Sequence, residues 1–141
     1  NVSAYKTLTH QHLGEINFQL KELSKVPFSV QFVPWRGDFA RGIFVSSTFK
    51  TSLSLEELFE LYENFYKGQM FTTVSRKEIN LKQVVNTNRC LINIEQNGDL
   101  AVVHSAIDNL LKGASGQAIH NMNISFGFPE NAGLKLKSIA F

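Results

Sequence analysis

One cysteine, Cys90, stands in 141 residues. That count excludes an internal disulfide framework and any metal site built from several thiolates. No hydrophobic run approaches the roughly 18–20 residues that a membrane-spanning helix needs, so no membrane partner is expected. Neither sign of charge dominates: 14 Lys and Arg face 12 Asp and Glu. The basic residues are scattered rather than gathered into the stripe of a nucleic-acid binder, and no nucleic-acid partner is expected. Nothing matches GxGxxG or GxxxxGK[ST], so the chain lacks a Gly-rich cradle for phosphates. Internal repeats and low-complexity tracts are also missing, and residues 1–141 read as a single domain. The chain opens on Asn1 rather than Met and carries no signal peptide; a piece of a longer, cytoplasmic protein is expected to look this way.

What is present is apolar. Hydrophobic residues make up 43% and charged residues 18%, a balance that supports a buried core and excludes disorder. Twelve Phe against three Tyr and one Trp point to an aromatic core or an interface. Between His12 and Ser24, the residues Leu13, Ile16, Leu20 and Leu23 recur at helical spacing, and Pro27 marks the end. Phe28–Val33 alternates as a strand does, and Phe39–Phe49 reads as a second, longer strand. Ser54-Leu55-Glu56-Glu57 is a capping box opening a helix with the stripe Leu55, Leu58, Phe59, Tyr62 and Phe65. Phe71–Val74 is a short strand. Two apolar runs then flank Asn97-Gly98, a hairpin signal. Ala106–Asn121 reads as a helix, although Gly113 and Gly116 each weaken it by about 1 kcal/mol relative to Ala. Such glycines suit the close approach of another backbone. The tail from Phe126 to Phe141 has no clear assignment. Together these elements predict an α+β fold: a mostly antiparallel or mixed sheet with helices packed on one face.

Few residues carry chemistry. His10 and His12 precede the first helix, either as surface histidines or as a proton-transfer pair, since imidazole titrates near neutrality. No third ligand stands at a recognisable spacing, so no metal site is expected. Arg36 and Arg41 bracket a Gly37-containing loop, and either guanidinium suits a carboxylate or phosphate or stands as a solvated charge. Asp108 and Asn109 can cap the helix that follows them. Cys90 has no neighbouring His or Lys in sequence and reads as structural.

Four segments resemble the N-acetyl-gamma-glutamyl-phosphate reductases. His10-Gln11-His12-Leu13-Gly14-Glu15-Ile16 is similar to that family's H-x-H-x-x-E-I segment. Arg41-Gly42-Ile43, seven residues after Pro34, resembles its P…RGI stretch, and Asn86-Thr87-Asn88-Arg89-Cys90 its G-T-N-x-C segment. The most specific match is Ser105 to Ala118, close to the signature S-x-I-D-N-L-x-K-G-A-x-G-Q-A. Trp35, Arg36 and Asp38 depart from the family loop, and Asn86 stands where Gly is common.

The resemblance implies the C-terminal domain of an NADP-dependent reductase of arginine biosynthesis, with a fold like the C-terminal domain of glyceraldehyde-3-phosphate dehydrogenase. That family reduces an acyl phosphate to a semialdehyde through a thioester on a cysteine. Both the cysteine and the dinucleotide-binding domain are expected on an N-terminal domain absent from this chain, which alone would be inactive. The resemblance assigns proton transfer to His12, with His10 next, the anionic substrate to Arg41, and the nicotinamide ring to Asn109. The smooth helix after Asn109 would lie against the dinucleotide domain, and the free sheet face would join subunits of a homo-oligomer, dimer or tetramer. Two other readings stand beside this one: a domain of an aspartate- or aminoadipate-type semialdehyde dehydrogenase, and a non-catalytic oligomerisation module of the same fold.

Overall fold

A computed structural model describes residues 1–138, and the chain divides into two units, Asn1–Ala40 and Arg41–Phe141. In the first, α1 (His12–Leu23) forms where the apolar spacing places it. It opens with the His10 carbonyl accepting from the Leu13 N–H at 3.0 Å and closes with the Ser24 N–H on the Leu20 carbonyl at 2.8 Å. Two short strands, β1 (Ser3–Ala4) and β2 (Trp35–Arg36), pair antiparallel with Ser3 opposite Arg36 and Ala4 opposite Trp35. The strand expected over Phe28–Val33 does not form. Its alternation is real, but a strand needs a regular partner. The facing segment turns left-handed at Lys6 (φ 45°) and Leu8 (φ 57°). Only two isolated bonds then join the segments: the Leu8 N–H to the Phe32 carbonyl at 3.0 Å and the Tyr5 N–H to the Pro34 carbonyl at 2.9 Å.

The second unit holds a four-stranded sheet of β3 (Ile43–Lys50), β4 (Thr72–Val74), β5 (Cys90–Asn97) and β6 (Leu100–Ile107), in the order β3-β6-β5-β4. Only the β4–β5 pairing is parallel. The mixed sheet with its helices makes the fold α+β, as the sequence predicts. Gly42, at φ 116°, sets the start of β3, so the strand expected from Phe39 begins four residues later. The hairpin between β5 and β6 turns through Gly98 and Asp99, one residue beyond the expected pair. The positive φ (62°) falls on Gly98 alone.

Ser54 and Glu57 form the expected capping box: the Ser54 Oγ accepts from the Glu57 N–H at 3.3 Å, and Glu57 Oε2 accepts from the Ser54 N–H at 2.7 Å. The helix it starts, α2 (Leu55–Phe65), buries Leu58 and Phe59 against Ile94 and Ala101, with Tyr62, Val74 and Val103 around them. Burying each of the two large side chains contributes about 1.5–3 kcal/mol. Leu55 and Phe65, at the ends of the stripe, remain exposed.

The late helix begins later than its pattern suggests. Ala106 and Ile107 belong to β6, paired with Leu91 and Cys90 on one side and with Phe44 and Ile43 on the other. Cross-strand pairing on both flanks overrides helical spacing there. The chain then makes a π-helical turn, Leu111–Ser115, before α3 (Gly116–Ser125). Gly116 does meet close neighbours: a Cβ at this position would overlap Asn88 Oδ1 and come within 2.9 Å of the Leu111 backbone carbonyl oxygen. Gly113 has ordinary room. Beyond α3, Asn123 Nδ2 donates to the Glu130 and Ala132 carbonyls at 3.0 Å each, and Asn88 Nδ2 to the Leu134 carbonyl at 3.1 Å. These bonds tie down the tail as far as Leu134; residues 139–141 lie outside the described residues. No described helix is long and apolar enough to cross a membrane.

Candidate functional site

The candidate residues fall into two groups, one in each unit. In the first unit, His10 is half-buried and His12 exposed, with ring centroids 4.7 Å apart at 67°. His10 sits edge-on to Tyr5 at 5.5 Å and to Phe32 at 5.3 Å. Its Nδ1 accepts from the His12 backbone N–H at 3.2 Å. A nitrogen that accepts carries no proton, so neutral His10 is the Nε2–H tautomer. Partial burial, then the positive charges of His12 and Lys6, hold the His10 pKa below the usual histidine range. His12 makes no side-chain hydrogen bond among the described residues, and its ring is open to solvent at the first residue of α1. The two histidines thus differ in setting: the His10 ring accepts from its neighbour's backbone, and the His12 ring is exposed.

In the second unit Asp108 is the centre. Its side chain is wholly buried. Oδ1 accepts from the Leu110 and Leu111 N–H groups at 2.8 and 2.9 Å, and Oδ2 accepts from the Asn86 N–H at 2.8 Å. Asp108 thus caps the π-helical turn, as its position in sequence suggests. Burial pushes its carboxyl pKa up, but the Asn86, Leu111 and Leu110 N–H groups and the Arg41 charge outweigh that and hold it below the usual range.

Arg41, the residue expected to meet an anionic substrate, reaches two partners here and stays partly exposed. Its Nη2 donates to Asp108 Oδ1 at 3.2 Å and its Nη1 to Asn86 Oδ1 at 2.5 Å, with Nε 3.1 Å from Asp108 Oδ2. Asn86 has φ 63°, a left-handed conformation that Gly and Asn adopt most readily. That conformation accounts for the one departure from the G-T-N-x-C pattern: Asn replaces Gly without changing the turn and adds an acceptor for Arg41. Asn109 Oδ1 accepts from the Gly42 N–H at 2.7 Å, and among the described residues no acceptor takes its Nδ2 protons. The start of β3 and the end of β6 are clasped together by these residues. Neither Asn86 nor the Arg41–Asp108 pair is readable from spacing, because their partners lie 45 and 67 residues away.

Cys90 begins β5 and is half-buried. Burial pushes its thiol pKa up, and Lys112 only partly offsets that. A raised pKa keeps the thiol protonated and poor as a nucleophile.

A family model described as semialdehyde dehydrogenase, dimerisation domain, matches residues 1–109. Among curated relatives, proteins named N-acetyl-gamma-glutamyl-phosphate reductase from Bacteroides thetaiotaomicron and Bacteroides fragilis are 51% identical over 142 residues, covering all of this chain and 44% of their own length. The protein of that name from Flavobacterium johnsoniae is 49% identical over the same span. The chain spans less than half the length of these relatives.

Proposed function

The chain belongs to the family of semialdehyde dehydrogenase dimerisation domains, and from that membership we propose that it is the C-terminal part of an N-acetyl-gamma-glutamyl-phosphate reductase acting in the cytoplasm. The observation that carries the reading is the match over the whole chain, at about half identity, to proteins of that name. The reaction takes an acyl phosphate to a semialdehyde, with an N-terminal domain supplying the nucleophilic cysteine and the dinucleotide site. Cys90 does not compete for the first role, because burial disfavours its thiolate.

The residues here divide the remaining work. His12 takes the thiol proton as the nucleophile attacks, gives a proton to the hemithioacetal oxygen after hydride transfer, and takes it back to hand to the sulfur as the C–S bond breaks and the aldehyde forms. His10 holds the His12 backbone through its Nδ1 and so fixes where the His12 ring starts. Asn109 fits the carboxamide of a nicotinamide ring: its Oδ1 is anchored on the Gly42 N–H, and its Nδ2 protons are left to donate. NADPH, when bound, supplies the hydride. Gly113, Ala114, Ser115 and Ala118 are exposed, a smooth surface suited to lie against the dinucleotide domain.

Every residue of β3 is exposed, Ile43, Phe44, Val45 and Phe49 among them. An apolar strand left open at a sheet edge is a surface for association, and it supports a homo-oligomer joined through this sheet. The test is NADPH oxidation with N-acetyl-gamma-glutamyl phosphate. A polypeptide of the relatives' full length that carries this chain should turn over, and the 141-residue chain alone should not. Turnover by the chain alone would overturn the division of labour.

A further inference from the structure

Arg36 belongs to the first unit. Its guanidinium carbon lies 3.8 Å from the centroid of the Tyr5 ring, and the residue is exposed. Among the described residues no carboxylate comes within ion-pair distance of it. Two features fix its place. Arg36 is in β2, opposite Ser3 of β1, and the Tyr5 N–H bonds the Pro34 carbonyl at 2.9 Å, so the ring and the guanidinium are carried by a paired backbone. Stacking leaves the planar edge of the guanidinium, with its N–H donors, pointing away from the ring.

The surroundings of that ring are also basic. Lys6 Nζ lies 5.5 Å from the Tyr5 centroid, and the other neighbour of Tyr5 is His10, which in turn touches His12. The Tyr5 ring therefore separates an unpaired guanidinium from His10, and His12 lies one ring further on. We infer that Arg36, stacked on Tyr5 beside His10 and His12, is an anion-binding residue that takes the two oxygens of a carboxylate or phosphate group. This deepens the proposed function and rests on it for one step only: in the reductase, the anion gripped is a charged end of the substrate. Bidentate geometry makes Arg and Lys unequal at such a place.

The experiment is a titration of the 141-residue chain with two probes in separate arms, inorganic phosphate and N-acetylglutamate. It is followed by the NMR signals of the Arg36 side chain and the His12 ring. At least one probe should shift both signals saturably. Arg36→Gln should weaken that probe at least tenfold, Arg36→Lys should weaken it less, and Arg89→Gln should leave it unchanged. A response to phosphate alone assigns the phosphoryl end, a response to N-acetylglutamate alone assigns the carboxylate end, and either supports the inference. No saturable shift with either probe overturns it. So does undiminished binding by Arg36→Gln, or equal weakening by Arg89→Gln, which would mean unspecific charge attraction. No turnover is measured, so these results stand apart from any failure of the reductase assignment.

Discussion

Asp108 draws five groups to one buried carboxylate: three backbone N–H donors and two nitrogens of Arg41. Removing one partner of a buried ion pair leaves the other uncompensated, which costs about 3 kcal/mol or more. Asp108→Asn should therefore lower the unfolding free energy in urea by about 3 kcal/mol. The depressed carboxyl pKa sets the sign with pH. The stability it contributes is present above the unfolded carboxylate range and is lost as pH falls through the lower folded value. His10 acts in a higher window. Its folded pKa lies below the ordinary histidine value, so the unfolded chain takes up that proton first, and stability should fall on acidification below about pH 6.5. Protonation at Nδ1 would also break the bond from the His12 N–H. In His10→Gln the stability curve should be flatter between pH 7 and 5; an unchanged slope would refute the assignment. At this scale the sequence was legible where partners are close, as in the Ser54–Glu57 box and the Asp108 cap. It was silent where topology brings partners together, as with Arg41 and Asp108.

Among the elements, the clearest departure from pattern is at the β6–α3 join. Ala106 and Ile107 satisfy helical spacing, yet the sheet takes them because both neighbouring strands offer pairing. The missing strand at Phe28–Val33 is the opposite case: the alternation is there, but left-handed residues at Lys6 and Leu8 deny it a ladder. Periodicity thus marks which face of a segment is apolar, while the neighbour decides whether the segment is a strand. Two substitutions probe these elements. Ser54→Ala removes the acceptor for the Glu57 N–H and should cost about 1 kcal/mol. Gly116→Ala forces a methyl group onto Asn88 Oδ1, and overpacking of this kind costs about 1–3 kcal/mol. Asn88→Ser added to Gly116→Ala should recover part of the loss, because it removes the overlapping amide. Thermal melts of the single and double variants measure the coupling. Additive losses would mean that Asn88 is not what Gly116 accommodates.

For the molecule as a whole, the exposed edge strand β3 and the family's description as a dimerisation domain both concern association. Phe44→Asp places a charge on the open strand, beside Ala106 of β6. Sedimentation should then show a shift toward monomer without loss of helix or sheet signal. An assembly as stable as the parent would place the contact elsewhere. Composition and motif order were enough to anticipate the α+β class and the family. They also pointed to a homo-oligomer, but not to the residues of its contact, because an interface is read from which apolar residues stay uncovered. The central claim is that His12 moves the proton in a reductive reaction whose nucleophile lies on another domain. Its most direct test is the kcat of His12→Asn at saturating N-acetyl-gamma-glutamyl phosphate, in a polypeptide of the relatives' full length carrying this chain. General acid–base catalysis contributes typically about 10²- to 10⁴-fold, so kcat should fall by about that factor, and a kcat equal to that of the parent would contradict the account.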